Sequence, residues 1–435
     1  MSTFTVTNTN NSGLGSLRQA VLDANALTGK DIINFGGLFT DGLAHTINLT
    51  GSGLSITDDL TIQGTNPSLL TIKDDSVSRV FDIGNGVTSA INGLTITNSY
   101  NDNYNEAGRV GGLSNDIIDK VAGGGAISIE IGGSFTLDNS IITGNTADNG
   151  GGINNYGGSL TLNNSTITGN TAVDGGGIFN IAINGGGTIT VNNSTISGNT
   201  GSYGGGIESG SGGTITVNNS TIRGNTALYG GGIDTDSVVS VSVSNSTISG
   251  NTASFGGGIN SFDDTITVSN STISGNTGSF GGGGINSSTD IITVSNSTIS
   301  GNTASYGGGI MHSSSLVGTF TLINSTISGN QAHLGGGIYN EGTLTVGNST
   351  IKHNKVFGIE LSSGGEESGK GGGIYNYNSR DATVTLDYST IACNFDTPQK
   401  DSNKFIKSDD LVGKFITKHD HNRIGNLSGS TFSYS

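Results

Sequence analysis

Most acidic side chains in the middle of the chain share one position in a repeated unit. They lie between a Gly-Gly-Gly-Ile motif and a Thr-Ile-Thr-Val motif. Carboxylates about 5 Å apart serve retaining glycosidases, and converging carboxylates bind Ca²⁺. Any stacked column would give such distances, so we favour a solvated acidic rim. The acids are Glu208, Asp234, Asp236, Asp263, Asp264, Asp290 and Glu341, of which Asp234, Asp236, Asp263, Asp264 and Asp290 are the calcium candidates.

Aromatic residues precede the glycine triplet in five successive units. Their regular spacing predicts a column of stacked rings, and the mixture of Phe and Tyr favours simple packing at a corner of the fold. An exposed column would instead offer a platform for glycans. The five residues are Tyr203, Tyr229, Phe255, Phe280 and Tyr306.

Outward threonine pairs form a third candidate surface. Flat Thr-x-Thr ladders resemble the surface of ice-binding β-solenoids, but threonine is also a good residue for the exposed face of a strand. Ice binding is therefore an alternative. The pairs are Thr188/Thr190, Thr214/Thr216, Thr265/Thr267, Thr319/Thr321, Thr343/Thr345 and Thr383/Thr385.

Two histidines of the repeated region, His312 and His333, lie in adjacent units but at different positions of the unit. Two histidines that bind one metal ion would be expected at equivalent positions of adjacent units. We predict isolated surface histidines.

The repeat itself predicts the elements that position these side chains. Its period of 25 to 29 residues is marked by the Asn of a Gly-Asn pair, from Asn145 to Asn330. Thr265–Val268 and Ser271–Ser274 alternate as strands with one buried face, and Gly281–Ile285 is predicted as a third. Three short strands cannot enclose a core, so units must stack. We predict an all-β, single-stranded right-handed parallel β-helix of roughly a dozen coils of about 26 residues.

An asparagine precedes each Ser-Thr-Ile and is predicted at a corner in the left-handed backbone region. Its amide can bond to neighbouring coils as an asparagine ladder. These positions are also Asn-X-Ser/Thr sequons, but the ladder explains their recurrence better than glycosylation does. The predicted ladder residues are Asn219, Asn245, Asn270, Asn296 and Asn324.

Both ends of a stacked fold need caps. Residues 1–40 are predicted as an N-terminal cap, with a helix opened by Ser16 whose Leu17, Ala20, Val21 and Ala24 share one face. Residues 41–395 form the β-helix, with long loops near 98–122 and 358–370. Residues 396–435 form an irregular C-terminal coil.

The composition limits the classes of partner that the protein is expected to bind. Gly accounts for 76 of 435 residues, and the formal net charge of -16 disfavours nucleic acid. The single Cys393 cannot form an internal disulfide. No apolar run is long enough for a membrane span, and no secretion signal is visible at the N-terminus.

The unit Ile248–Ile259 resembles the repeats of the polymorphic outer-membrane protein family, and Gly124–Ile127 matches their Gly-Gly-Ala-Ile tetrad. Gly15–Ala20 is similar to the Ser-Leu-Arg-x-Ala element of bacterial surface proteins that begin with a CSLREA motif. The fold resembles the pectin-lyase-like superfold. These resemblances imply secretion and adhesion or surface display.

The sequence thus predicts a non-catalytic extracellular or cell-surface protein, adhesive or structural, that binds glycans or other cell-surface components along a side face. No cofactor is expected, and Ca²⁺ is the candidate metal. A polysaccharide lyase or hydrolase of the pectin-lyase-like type is the alternative. It is disfavoured because Arg223 is the single basic residue between Asn139 and Thr350.

Overall fold

The chain folds into two compact units, an N-terminal unit of residues 1–221 and a C-terminal unit of residues 222–435. Both are parallel β-solenoids, as the repeat predicts. The computed structural model describes residues 1–75, 78–101, 125–183, 186–237, 239–288, 291–313, 318–360, 366–367, 369–377, 382–396, 410–417, 422–425 and 430–434.

Four strand types make up a full coil, as the coil that begins at Ile259 illustrates. They are Ile259–Phe262 in sheet C, Thr265–Ser269 in sheet A, Thr272–Ser274 in sheet B and Thr277–Gly281 in sheet D. Each pairs in parallel with its equivalent in the next coil. The prediction of a strand over Gly281–Ile285 was wrong, because the glycines form a bend and the strand begins at Ile285.

The N-terminal unit contains the α-helix Leu17–Asn25 and the 3-10 helix Gly37–Thr40. Its sheet A strands are Thr3–Val6, Asp31–Phe35, Leu60–Gln63, Thr88–Asn92, Ser134–Asp138, Ser159–Asn163, Thr188–Asn192 and Thr214–Asn218. Its sheet B strands are His45–Leu49, Leu70–Asp74, Thr95–Thr97, Ile141–Thr143, Thr166–Thr168 and Thr195–Ser197. Sheet C has Leu54–Ile56, Phe81–Ile83, Ile127–Ile129, Ile153–Tyr156, Ile178–Ile181 and Ile207–Gly210, and Tyr100–Asn101 pairs with Thr146–Ala147. The strand Thr221–Arg223 contains the division between the units.

The C-terminal unit repeats the coil more regularly. Its sheet A strands are Ser240–Ser244, Thr265–Ser269, Ile291–Ser295, Thr319–Ile323, Thr343–Gly347, Thr383–Asp387, Leu411–Thr417 and Ser430–Tyr434. Sheet B has Thr247–Ser249, Thr272–Ser274, Thr298–Ser300, Thr326–Ser328, Thr350–Lys352, Thr390–Ala392 and Arg423–Ile424. Sheet C has Ile233–Asp236, Ile259–Phe262, Ile285–Ser288, Ile310–Ser313, Ile338–Asn340 and Ile374–Asn376. Sheet D has Thr252–Phe255, Thr277–Gly281, Thr303–Tyr306, Gln331–Ala332, Lys355–Val356 and Phe395–Asp396, and Ile359–Glu360 pairs antiparallel with Glu366–Glu367.

Period-2 alternation produces the core of each coil. Ile266, Val268 and Ile273 are fully buried, whereas the threonines between them face outward. Full burial of one such aliphatic side chain stabilises the fold by about 1.5–3 kcal/mol. The sequence therefore determines which face of each strand is the interior.

The glycine triplets occupy positions where a side chain has no room. Gly256 has a φ of 62°, which favours glycine. A Cβ on Gly257 would lie 2.5 Å from the Thr277 carbonyl oxygen, and one on Gly258 would meet the carbonyl oxygen of Gly284 in the next coil. The triplet therefore meets two requirements that exclude other residues, a positive φ at its first position and close backbone approach at the other two.

The N-terminal helix forms as predicted. The Ser16 Oγ accepts a hydrogen bond of 3.2 Å from the Gln19 amide, and Leu17, Ala20, Val21 and Ala24 are buried. Strand pairing begins inside the predicted cap of residues 1–40. Thr3–Val6 pairs with Asp31–Phe35, so sheet A begins at residue 3.

The described C-terminal residues form the predicted last coil. Leu411–Thr417 pairs first with Ile374–Asn376 and then with Thr383–Asp387. Of the two predicted loops, residues 102–122 of the first and residues 361–365 and 368 of the second lie outside the described residues. No helix in the described part of the chain is long and apolar enough to cross a membrane.

Candidate functional site

The five predicted ladder asparagines do not form the ladder. Asn219, Asn245, Asn270, Asn296 and Asn324 adopt the predicted left-handed backbone, with φ between 48° and 51°. Their side chains are exposed. They are recurrent because asparagine tolerates this backbone region better than other non-glycine residues do.

The ladder runs instead through the asparagine of each Gly-Asn pair, which is fully buried. Asn276 Nδ2 donates to Asn302 Oδ1 at 3.0 Å and to the Ile248 carbonyl at 3.0 Å, while its Oδ1 accepts from the Asn251 backbone and side-chain amides. The same pattern joins Asn145, Asn170 and Asn199 in the N-terminal unit and Asn225, Asn251, Asn276, Asn302, Asn330, Asn354 and Asn394 in the C-terminal unit.

The described calcium candidates of the predicted acidic rim differ in exposure. Asp234 is buried on the outer side of sheet C, in register with Asn260, whereas Asp236 and Asp263 are exposed and Asp290 lies outside the described residues. No three His, Cys, Asp or Glu side chains come together as a metal site among the residues that the structure describes. The described calcium candidates therefore do not converge.

Asp264 is a structural carboxylate. Only 5% of it is exposed, and it accepts hydrogen bonds from the Val239 amide at 2.6 Å, the Ser261 hydroxyl at 2.9 Å and the Phe262 amide at 3.3 Å. Burial raises the pKa of this carboxyl group above its ordinary value. Its lone pairs are thus engaged within the fold.

The predicted aromatic column forms only in part. Within the C-terminal unit the rings of Tyr229, Phe255 and Phe280 stack, with centroids 5.4 Å apart at each step. The register then shifts between Gly278 and Gly281. Tyr306 packs edge-on against Tyr339 at 5.6 Å.

This contact with Tyr339 opens a second aromatic group, which we call the tyrosine cluster. It consists of Tyr306, Tyr339, Tyr375 and Tyr377. Tyr339 stacks on Tyr375 at 5.6 Å and on Tyr377 at 6.2 Å. Tyr306 and Tyr377 remain 39% and 45% exposed, so the cluster has an accessible outer side.

One carboxylate belongs to the tyrosine cluster. The Tyr339 hydroxyl donates to Glu341 Oε1 at 2.8 Å. Burial and this hydrogen bond raise the pKa of the Tyr339 hydroxyl, so it remains a donor. Sequence reasoning placed Glu341 in an acidic rim and missed the three tyrosines beyond Tyr306. The repeated Ile-Tyr-Asn at 338–340 and 374–376 was the available signal.

The cluster continues a line of outward side chains along sheet C. Strand register aligns them one per coil. Asn286 Nδ2 donates to Asn260 Oδ1 and Asn260 Nδ2 donates to Asp234 Oδ1, both at 2.7 Å. This sheet C line consists of Asp234, Asn260, Asn286, Met311, Tyr339 and Tyr375.

The histidines are not on the surface, contrary to the prediction. His312 is fully buried in the C-terminal unit, where its Nδ1 lies 2.8 Å from Asn340 Oδ1. His333 is 4% exposed, and its Nδ1 lies 2.9 Å from the Phe357 carbonyl oxygen. Burial lowers the pKa of His312.

A pair of carboxylates that sequence reasoning missed lies in the N-terminal unit. Arg79 Nη1 lies 3.1 Å from Asp82 Oδ1 and 3.7 Å from Glu130 Oε1. Burial and the charge of Asp82 raise the pKa of Glu130. A guanidinium between two acids occurs in structural ion networks and also in functional sites whose acids have shifted pKa values.

The threonine pairs face outward on sheet A, as predicted, and are exposed or half-buried. Neighbouring rows are in register, for example Thr319 with Thr343 and Thr321 with Thr345. Ice binding by this face stays a prediction.

Comparison with known proteins agrees with the architecture. Residues 179–351 match the family model of a right handed beta helix region, which supports the predicted handedness. No curated protein shows a significant match.

Several solved structures are similar over most of the chain. The A-module of the mannuronan C-5 epimerase AlgE6 of Azotobacter vinelandii is 11% identical over 99% of each chain, with a TM-score of 0.41. PfbA, a surface adhesin of Streptococcus pneumoniae, is 13% identical over 100% of this chain and 94% of its own, with a TM-score of 0.39. The family 28 exopolygalacturonase of Yersinia enterocolitica is 10% identical over 100% of this chain and 77% of its own, with a TM-score of 0.33. At these values the similarities concern the fold and say nothing about activity.

Proposed function

We propose that the protein is a non-catalytic extracellular or cell-surface β-helix protein, adhesive in role, that binds uncharged glycans at the tyrosine cluster. The observation that carries this proposal is the contact among four tyrosine rings on an accessible surface, with a carboxylate bonded to one of them.

The cluster has the chemistry that neutral sugars require. Tyrosine combines a large apolar ring with a hydroxyl that can donate or accept hydrogen bonds. Glu341 adds a carboxylate, whose several lone pairs can accept from sugar hydroxyls as well as from Tyr339. Two paired strands of sheet C hold Tyr339 and Tyr375 one coil apart, about 4.8 Å.

Charge selects the class of glycan. The sheet C line contains a carboxylate at Asp234 and no Lys or Arg, and Glu341 adjoins its tyrosine end. The formal net charge of -16 adds long-range repulsion of anions. Uronate-rich or sulfated polymers would therefore bind less well than neutral ones.

A glycan array probed with matched variants tests the proposal. Tyr377→Ala removes an exposed ring from the cluster, whereas Tyr388→Asn removes an equally exposed tyrosine from a corner where other coils carry asparagine. We expect binding to neutral glycans by the wild type and by Tyr388→Asn, and a marked loss for Tyr377→Ala. Equal signals for all three proteins would contradict the assignment of the site.

The polysaccharide-degrading alternative has a specific candidate in Asp82 and Glu130. A depolymerisation screen on neutral and acidic polysaccharides decides it, with Glu130→Gln as the matched variant. We expect no cleavage by either protein. Cleavage by the wild type that Glu130→Gln abolishes would overturn the non-catalytic assignment.

A further inference from the structure

His312 lies inside the C-terminal unit, on the strand that pairs with the Ile338–Asn340 strand of the tyrosine cluster. The side chain is fully buried. Asn340 and Ser287 flank it in the neighbouring coils of sheet C, and Phe320 of sheet A meets the imidazole edge-on at 6.1 Å. A histidine here interrupts a line of small polar residues, since Asn340 and Asn376 follow at the same position.

The hydrogen bonds around Asn340 determine the tautomer of His312. Asn340 Nδ2 donates to Asn376 Oδ1 at 2.7 Å and to the Gly342 carbonyl at 2.8 Å. Asn340 Oδ1 is thus the acceptor toward His312, so the imidazole carries its proton on Nδ1. The Nε2 lone pair is buried and has no hydrogen-bond partner among the described residues.

A backbone hydrogen bond and the position of Asn340 in the chain connect His312 to the cluster. The His312 carbonyl oxygen accepts a hydrogen bond of 2.8 Å from the Glu341 amide. Asn340, which holds the imidazole, lies between Tyr339 and Glu341 in the chain, and those two side chains bond to each other. Displacement of His312 would therefore disturb the backbone that positions the cluster.

We propose that His312 is an acid-sensitive switch, whose protonation loosens the coil beneath the tyrosine cluster and releases the bound glycan. The coupling to glycan rests on the function proposed above. Among the described residues, the imidazole faces Asn340, Ser287 and Phe320, none of which carries charge. Tyr339 and Glu341, the titratable groups on the adjoining strand, lie on the outer side. Asp264 lies two coils away, between the strands Ile259–Phe262 and Thr265–Ser269, and accepts a hydrogen bond from Ser261.

The direction of the pH effect follows from burial. A second proton would lie on Nε2, where it would add a buried charge and an unpaired donor. Burial accordingly lowers the pKa of His312 from its ordinary value near 6.5. The contribution to stability is fully present above the unfolded pKa and is lost as the pH falls through the lower pKa of the folded state. Asp264 has a raised pKa and acts in the opposite direction.

The test compares wild type with His312→Asn and His312→Gln, with His333→Asn as a control for a second buried histidine of the same unit. Asparagine is the residue that the next two coils carry, and glutamine keeps more of the buried volume. Urea unfolding is followed at pH 7.5 and pH 5.0, and binding of a neutral glycan from the array is measured at both values.

We expect acid to lower the unfolding midpoint of wild type and His333→Asn, and to weaken glycan binding by roughly threefold or more. The His312 variants should lose most of this pH dependence in both measurements. A pH dependence of unfolding that persists in both His312 variants would overturn the switch. Absence of glycan binding by all proteins at pH 7.5 would overturn the proposed function instead, while the unfolding measurements would still decide the role of His312.

Discussion

At the scale of single residues, two asparagines six positions apart in each unit have different physical roles. Asn270 is exposed and adopts a left-handed backbone, whereas Asn276 is fully buried and bonds to coils on both sides. Asparagine is suited to position 270 because it tolerates the left-handed backbone. It is suited to position 276 because its amide satisfies buried polar groups.

Replacement of Asn276 by Ala should therefore destabilise the C-terminal unit strongly. It would leave the Ile248 carbonyl and the Asn251 amide without their side-chain partners, and each buried group left unsatisfied costs about 1–3 kcal/mol. We expect a loss of about 3 kcal/mol or more in the free energy of unfolding, measured with urea. Asn270→Gly is the control, with a change of about 0.5 kcal/mol or less. Comparable losses in the two variants would contradict the assignment of the ladder.

The sequence could predict that asparagines form a ladder but not which ones. Asn270 and Asn276 both lie at corners next to a short strand, and the period is the same for both. Only the direction in which the chain turns at Gly275, with a φ of 62°, decides which amide enters the core. A periodic pattern contains no information on that direction.

At the scale of elements, strand positions were readily predicted because each strand has one buried face. The aromatic column was less predictable. The coil after Phe280 carries four glycines, Gly281–Gly284, where others carry three, and the extra residue shifts the sheet D register. The strand Thr277–Gly281 has this irregularity toward both neighbouring strands. Phe280 still stacks on Phe255, whereas Tyr306 contacts Tyr339 instead.

The bend formed by a glycine triplet, such as Gly256–Gly258, leads to a prediction about the contact between successive coils. Gly258→Ala would drive a methyl group against the Gly284 carbonyl of the next coil, and overpacking typically costs about 1–3 kcal/mol. Gly347→Ala is the matched control on sheet A, where the nearest neighbour of an added Cβ is Ile323 Cγ1 at 4.0 Å. Thermal unfolding should show a lower midpoint for Gly258→Ala and little change for Gly347→Ala. An unchanged midpoint for Gly258→Ala would show that the coils can separate at no cost.

At the scale of the whole molecule, charge should govern which polymers associate with the protein. The formal net charge is -16, and repulsion between exposed charges is screened over about 10 Å at 0.1 M salt. Acidic polysaccharides should bind more weakly than neutral ones at low ionic strength, and added salt should narrow this difference. Affinity electrophoresis in gels that contain each polymer measures both effects. Stronger binding of acidic polymers at low salt would contradict this expectation.

The central claim is that the tyrosine cluster binds neutral glycan, and isothermal titration calorimetry tests it most directly. The best glycan from the array would be titrated into wild type, Tyr377→Ala and Tyr388→Asn. Loss of an aromatic hot spot costs about 2 kcal/mol, so we predict roughly thirtyfold weaker binding for Tyr377→Ala. Tyr388→Asn should match the wild type. Wild-type affinity in Tyr377→Ala, with an intact fold, would contradict the claim.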